Sequence, residues 1–153
     1  MSTRILALTT LYNNHHLLCE LLRLFHHDLT EKPNGILLSY VAVPLILSTN
    51  SRHSLMHAKS TSCLRTFCNK RENIYGLNEV ATLNKRRINL AIQYGLNNGT
   101  LAIASNLAIV SSSHNRDGIT LTRDFEKACK SLSRFLTPHD VVTAYRMLGV
   151  MSL

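Results

Sequence analysis

The sequence predicts an α+β fold that is predominantly helical. We expect a helical N-terminal part, then a winged-helix-like unit made of a helix and a β-hairpin wing, and then C-terminal helices. Two observations lead to this prediction. Apolar residues recur at helical spacing over most of the chain. A short stretch after Gly99 instead alternates at strand spacing, and helical spacing returns near Phe125.

The length and composition predict a single compact domain over residues 1–153. A chain of 153 residues buries roughly two thirds of its unfolded surface, so it needs no disulfide. With 45% hydrophobic and 17% charged residues, the chain is typical of globular proteins and not of disordered ones. Its four cysteines form no CxxC pair, which favours reduced thiols and a cytoplasmic protein.

No part of the sequence predicts contact with a membrane. The first residues lack the long apolar stretch and small-residue cleavage site of a signal peptide. The longest apolar run, Ile36–Leu47, is interrupted by polar residues and Pro44, and a bilayer span needs about 20 residues. We therefore expect a protein without a membrane partner.

The N-terminal part predicts a helix followed by a second, strongly apolar one. Asn13 or Asn14 is a suitable N-cap, and the turn signal Pro33–Gly35 should follow the end of the first helix. The apolar face of that helix would carry Leu17, Leu18, Leu21, Leu22, Phe25 and Leu29. The run Ile36–Leu47 is apolar on nearly every side, which favours a buried helix kinked at Pro44 over a pair of short elements.

Two short helices and one long helix should come next. Ser51 is the expected cap of the first short helix, and Ser60 or Thr61 is the expected cap of the second. The long helix should run from Leu77 to a stop at Asn98–Gly99, with a break near Asn84. Its apolar stripe consists of Leu77, Val80, Ala81, Leu83, Ile88, Ala91, Ile92 and Leu96.

The alternation after Gly99 predicts a hairpin. Leu101 to Ile103 and Leu107 to Ile109 have strand spacing, and Ile119 to Leu121 suggests a third short strand. The polar, turn-rich loop from 111 to 118 lies between them. A helix followed by a hairpin with a long, basic-tipped loop is the layout of a winged helix, which we place at about residues 74–123.

The last part of the chain predicts two helices. Phe125, Ala128, Leu132, Phe135 and Leu136 share one helical face. A second segment should begin at Thr137 as N-cap, with Pro at the first helical position, and end at Gly149.

The sequence contains no recognisable catalytic motif. Adjacent histidines such as His15–His16 and His26–His27 point about 100° apart on a helix, so they cannot chelate one ion together. The sequence has no glycine-rich phosphate loop, no nucleophile elbow and only nine scattered acidic residues. We therefore expect no enzyme activity, no cofactor and no metal site.

The charge balance predicts a polyanionic partner. The net charge is +8, and nucleic acid is the commonest partner of such a surface. The expected phosphate-facing residues lie on the long helix, at the loop tip and beyond the loop, and they are Lys85, Arg86, Arg87, Arg116 and Arg123.

Several motifs together resemble one family. They are N-x-x-x-L-L-x-x-L-L-x-x-F up to Phe25, V-P-L-I-L with S-R-x-x-L close behind, A-I-x-Y-G-L-x-x-G from Ala91 to Gly99, the hairpin, and a closing L-G-V at Leu148 to Val150. In this order they are similar to the middle-component subunits of prokaryotic ABC three-component systems, which include Lamassu-type defence operons.

The resemblance implies a non-catalytic adaptor. Its expected partners are an SMC-like, Rad50-like ATPase that senses foreign DNA and an effector, often a nuclease, with double-stranded DNA bound within the complex. The partner-binding surface should lie where the chain is richest in large apolar side chains. The expected residues are Leu45, Leu47, Arg52, Val141, Tyr145 and Leu148.

Two other classes of function stay open at this point. The first is a free winged-helix transcription regulator, for which the long helix offers Asn84, Asn89, Gln93 and Asn97 as base-reading side chains. The second is a small nuclease or toxin, which the scarcity of acidic residues disfavours.

Overall fold

A computed structural model describes residues 14–113 and 118–151. Over these residues the chain is predominantly helical with a small antiparallel sheet, as predicted. The elements are α1 (His15–Asp28), a 3₁₀ turn (Gly35–Leu38), α2 (Ser39–Leu47), α3 (Thr49–Met56), α4 (Leu64–Asn69), a second 3₁₀ turn (Arg71–Asn73), α5 (Leu77–Asn98), β1 (Leu101–Ile103), β2 (Ile109–Ser111), α6 (Arg123–Leu136) and α7 (Val141–Leu148).

Helix α1 begins at the predicted cap Asn14 and ends before Pro33, as expected, but Leu29, which was expected on its apolar face, follows its last helical residue. The Asn14 side chain accepts a hydrogen bond from the backbone N–H of Leu17 at 3.1 Å, which satisfies one free donor of the first turn. Asn13, the other predicted cap, lies outside the described residues. The helix packs against α5, α6, β2 and α2, so nearly all of its middle turns are buried.

Helix α2 is buried along its whole length. It packs against α1, α3, α5 and α6, and each of its nine residues is buried. A helix surrounded in this way has no solvent face, which explains why the run is apolar on nearly every side. The predicted helix is confirmed over Ser39–Leu47, with Pro44 inside it. The first residues of the run belong to the 3₁₀ turn Gly35–Leu38, and the kink at Pro44 stays a prediction.

The predicted caps of the two short helices are wrong. Helix α3 begins at Thr49 with Ser48 as N-cap, and Ser51 lies inside the helix, where its buried hydroxyl donates to the carbonyl of Asn73. Helix α4 is capped by Cys63, whose backbone N–H donates to Thr66 Oγ1 at 3.3 Å. The Ser51 hydroxyl is thus used for a contact with a distant residue. At α4, a cysteine occupies the cap position that a serine or threonine was expected to occupy.

Helix α5 is continuous over 22 residues, so the break predicted near Asn84 is wrong. The Asn84 amide stays within the helix: it donates to the Val80 carbonyl at 2.9 Å and accepts from Arg87 at 2.8 Å. The helix ends at Gly99, whose φ of 79° is a left-handed conformation that a residue with a Cβ rarely adopts.

The hairpin is present, but its turn is not the loop that the sequence suggested. Strands β1 and β2 pair antiparallel, with Ala102 opposite Val110, so the turn between them is the uncharged segment 104–108. The polar segment predicted as the loop begins at Ser111, the last residue of β2, and continues after this strand in the sequence. The third strand predicted at Ile119 to Leu121 is not formed.

The turn of the hairpin is docked onto the chain itself. The backbone N–H of Asn34 donates to the carbonyl of Asn106 at 2.8 Å, and the N–H of Ile36 donates to the carbonyl of Leu107 at 2.9 Å. The turn therefore packs against the segment before α2 instead of projecting into solvent as a free wing.

The two C-terminal helices are confirmed, with one corrected boundary. Helix α7 begins at Val141, and its N-cap is Asp140, whose carboxylate accepts from the N–H of Thr143 at 3.0 Å. The predicted cap Thr137 instead closes the end of α6, because its hydroxyl donates to the Ser133 carbonyl at 2.7 Å. Gly149 ends α7 in a left-handed conformation, as expected.

One cluster of buried apolar side chains connects the elements. Each of the α-helices and both strands contribute to it, from Leu18 in α1 to Leu148 in α7. Within residues 14–113 and 118–151, no helix combines the length and the apolar character that crossing a membrane requires.

Candidate functional site

The basic cluster on α5 is exposed. Lys85, Arg86 and Arg87 all lie on the solvent side of the helix, and we call these three residues the basic face of α5. Large apolar side chains flank it: Leu83 is 78% exposed and Leu90 is 50% exposed. This surface thus combines cationic groups with exposed apolar side chains.

The basic face of α5 has no carboxylate partner in the part of the chain that the structure describes. The ion pair that forms within the described residues is the buried one between Glu20 and Arg23 on α1, with 2.8 Å between the charged atoms. Arg23 also donates to the Ser112 carbonyl at 3.1 Å, which fastens the end of β2 to α1. The charge on α5 is therefore available to an external anion.

The other two predicted phosphate-facing residues come after the hairpin in the sequence. Arg123 is exposed at the first position of α6. Arg116 lies outside the described residues.

Most of the predicted partner-binding side chains belong to the protein's own core. Leu45, Leu47 and Leu148 are each 1% exposed, and Val141 is 7% exposed. Their apolar surface is already covered by neighbouring helices. A partner could reach them only after the fold had rearranged.

Arg52 fastens two helices together. Its guanidinium donates to the carbonyls of Ile46 and Leu47 at 3.1 and 3.0 Å, which satisfies the free carbonyls at the end of α2. It also lies over the Phe125 ring of α6, with 4.8 Å between the guanidinium carbon and the ring centroid. Burial lowers the pKa of Arg52, while the nearby Asp124 carboxylate raises it.

Tyr145 forms the wall of an apolar groove beside α7. Its hydroxyl donates to the Leu37 carbonyl, and burial raises its pKa above the ordinary value. The groove encloses about 450 Å³, and we call it the α7 groove. It is lined by Leu37, Val141, Val142, Tyr145, Arg146, Gly149, Val150 and Met151.

The exposed apolar residues of the α7 groove were not among those predicted from the sequence. Val142 is 57% exposed, Met151 is 90% exposed and Leu37 is 39% exposed. One signal for Val142 was available, since adjacent helix positions point about 100° apart and a helix buried on one side need not cover both Val141 and Val142. Nothing in the sequence indicated that Leu37 would lie beside them.

The histidines that come in adjacent pairs divide between the core and the surface. His26 is 5% exposed, and its Nε2 lies 2.8 Å from the Ser39 hydroxyl of α2. Burial lowers its pKa from the ordinary 6.5 to about 3, so this ring stays neutral. His27 is exposed. Among the described residues, no three His, Cys, Asp or Glu side chains lie together as a metal-binding group.

Comparison with known proteins places the chain in a family. No curated protein and no solved structure matches it. The model of a family described as "ABC-three component (ABC-3C) system Middle Component 3" matches residues 2–152, which is nearly the whole chain and agrees with the resemblance of its motifs. The chain therefore belongs to the Middle Component 3 family of ABC three-component systems.

Proposed function

We propose that this chain is a non-catalytic adaptor of a prokaryotic antiphage and anti-plasmid defence complex. It would link an SMC-like, DNA-sensing ATPase to a nuclease-type effector. Membership in the family implies that it works with other components of its system, and the identity of these partners comes from the resemblance of the motifs.

The α7 groove carries this proposal. It exposes Val142, Met151 and Leu37 side by side, and it is built on the segment in which the sequence shows an excess of large apolar residues. Burying one such side chain against a partner contributes about 1.5–3 kcal/mol, which corresponds to at least tenfold in affinity. A groove of this kind suits an apolar helix or loop of another component.

The exposed side of α5 supplies a second surface of different chemistry. Leu83 and Leu90 flank the basic face of α5, so this side of the helix suits either an acidic, partly apolar protein surface or the DNA backbone. Two surfaces on separate elements are what a bridging subunit needs. We assign double-stranded DNA within the complex to the basic face.

The absence of catalysis is part of the proposal. The charged side chains that are buried in the described residues form structural contacts, such as the Glu20–Arg23 pair. His26 is buried against Ser39 and stays neutral, so it offers no exposed base. These contacts favour an adaptor over a small nuclease.

The alternative is a free winged-helix transcription regulator. The exposed amides of Gln93 and Asn97 on α5 favour it, since such side chains read bases. The docking of the 104–108 turn onto Asn34 and Ile36 weighs against it, because a wing contacts DNA with a free turn. A gene for an SMC-like ATPase beside this one is expected only for the adaptor.

The test of the adaptor proposal is a charge placed in the α7 groove. Val142→Asp should reduce co-purification with the ATPase or the effector by about tenfold or more. The free chain should keep its circular dichroism spectrum and its unfolding midpoint, because Val142 is mostly exposed. Tyr145 is unsuitable for this test because its hydroxyl bond to Leu37 belongs to the fold.

Val110→Asp is the matched control. Val110 is 41% exposed on β2 and does not line the α7 groove, so this variant should bind partners normally. If both variants bind like the unchanged protein, or both lose binding equally, the α7 groove is not the partner surface.

A further inference from the structure

A second cavity lies away from both surfaces described above. It encloses about 270 Å³ between α3, α4, the second 3₁₀ turn and α6, and we call it the basic pocket. Its lining consists of His53, Ser54, His57, Ala58, Lys59, Ser62, Thr66, Phe67, Lys70, Asn73 and Phe135. None of these residues carries a carboxylate.

The rim of the basic pocket is cationic and its floor is aromatic. Lys59, Lys70 and the imidazoles of His53 and His57 are exposed around the opening. The two imidazoles are one helical turn apart, with ring centroids at 4.5 Å. Phe67 and Phe135 lie at the bottom, 5% and 3% exposed.

A buried asparagine holds the walls in place. The Asn73 side chain donates to the Phe67 carbonyl at 2.9 Å and accepts from the Ser54 hydroxyl at 2.9 Å. Its own carbonyl accepts from the buried Ser51 hydroxyl. Because these bonds join α3, the end of α4 and the 3₁₀ turn, the cavity is formed before any ligand arrives.

The loop that carries Lys59 is also fixed. Arg134 of α6 donates to the carbonyls of Lys59 and Ser60, both at 3.0 Å. Its guanidinium lies over the Phe135 ring, 5.1 Å from the centroid. The loop is thus held against α6, and a further positive charge lies next to the pocket.

The charges around the basic pocket are not neutralised within the described residues. The ion pair that forms among the described residues joins Glu20 and Arg23 of α1, and neither of these residues lines the pocket. A concave site with two unpaired ammonium groups, two imidazoles and hydroxyl donors from Ser62 and Thr66 has the chemistry of an anion site. It lacks the third ligand that a metal ion would need.

We propose that the basic pocket binds a small phosphate ester. The phosphate lies among Lys59, Lys70 and the two imidazoles, and the organic part lies toward Phe67 and Phe135. The volume of about 270 Å³ lies just below the usual range of ligand sites, which is about 300–1,000 Å³, so a mononucleotide or smaller ester is the expected size. This inference is independent of the adaptor function.

The test is a titration followed by NMR chemical shifts of the backbone amides. The probes are pyrophosphate, adenosine monophosphate, adenosine and a short DNA duplex. Adenosine monophosphate should shift resonances of the pocket residues in a saturable way, and adenosine should bind at least about tenfold more weakly because it lacks the phosphate.

Paired variants separate the pocket from general surface charge. Lys59→Gln with Lys70→Gln should weaken binding of adenosine monophosphate by about tenfold or more. Lys127→Gln with Lys130→Gln removes the same charge from exposed positions on α6 outside the pocket, and it should leave binding unchanged. Circular dichroism of each variant verifies the fold.

Four results would overturn the proposal. The first two are chemical shifts that rise linearly without saturation for both pyrophosphate and adenosine monophosphate, and equal affinities for adenosine and its monophosphate. The third is an equal loss of affinity in the two paired variants. The fourth is a saturable shift of the pocket resonances with the duplex but not with the monophosphate. The last result would assign the pocket to the phosphate backbone of nucleic acid.

Discussion

The buried His26 should make the stability of this protein depend on pH in a defined way. In the folded chain its pKa is about 3 because burial disfavours the charged ring, whereas the ordinary value is 6.5. Between these two values the unfolded chain binds a proton that the folded chain does not. The free energy of unfolding therefore falls as the pH falls below 6.5, and it continues to fall until about pH 3.

The expected magnitude follows from this difference in proton binding. Each pH unit below 6.5 costs about 1.36 kcal/mol, so the loss from His26 at pH 5 is about 2 kcal/mol. This value does not depend on the exact pKa of the folded chain as long as that pKa stays well below 5. Since domains are stable by only about 5–15 kcal/mol, the effect is large enough to measure.

The assay is urea unfolding at pH 7 and pH 5, followed by circular dichroism. The quantity of interest is the loss of unfolding free energy between the two pH values. His26→Gln removes the titrating ring, so this loss should be about 2 kcal/mol smaller than in the unchanged protein. His27→Gln changes the exposed neighbouring histidine and should leave the loss as it was. Equal losses for the unchanged protein and His26→Gln would refute the reasoning.

Two further predictions concern helix α5. A Cβ on Gly95 would lie 2.7 Å from Leu101 Cδ1, so Gly95→Ala should lower the unfolding free energy by about 1–3 kcal/mol. The control in the same urea titration is Gly35→Ala, because a Cβ on Gly35 would lie 3.6 Å from its nearest atom. Replacing the basic face of α5 by alanines should weaken DNA binding by the assembled complex equally for all sequences, and the slope of log K against log salt should become shallower by about 2–3. Alanines at Lys127 and Lys130 are the control for this second experiment, and an unchanged salt slope in the α5 variant would contradict the assignment.

The helices were predictable where the physical cause is local. The period of Leu18, Leu21, Leu22 and Phe25 follows from one buried face, and Asn14 caps the same helix through a bond three residues away. Gly149 ends α7 because glycine tolerates the left-handed conformation that the end requires. These features involve residues within about one turn of each other, so their pattern is visible in the sequence.

The predictions failed where a distant residue decides the outcome. Ser51 looked like a cap, but its hydroxyl bonds to Asn73, 22 positions later. The loop from 111 to 118 looked like the tip of a hairpin, but the ladder closes earlier, where the turn at 104–108 docks onto the segment before α2. Thr137 looked like the start of α7, but its hydroxyl closes the end of α6. The preferences of neighbouring residues in the sequence contain no information on contacts with distant residues, so they could not predict these outcomes.

The partner surface illustrates a limit of a different kind. Apolar residues indicate that a segment is buried, but they do not indicate what buries it. In α2 the covering elements are four helices of the same chain, and all nine residues of this helix are used in the core. In α7 the core takes Val141, Ala144 and Leu148, and Val142 with Met151 is left exposed beside Leu37. The apolar side chains of α2 are thus buried within the chain, whereas part of those of α7 stay exposed in the α7 groove. Under the proposed adaptor function, this exposed part is where a partner would bind.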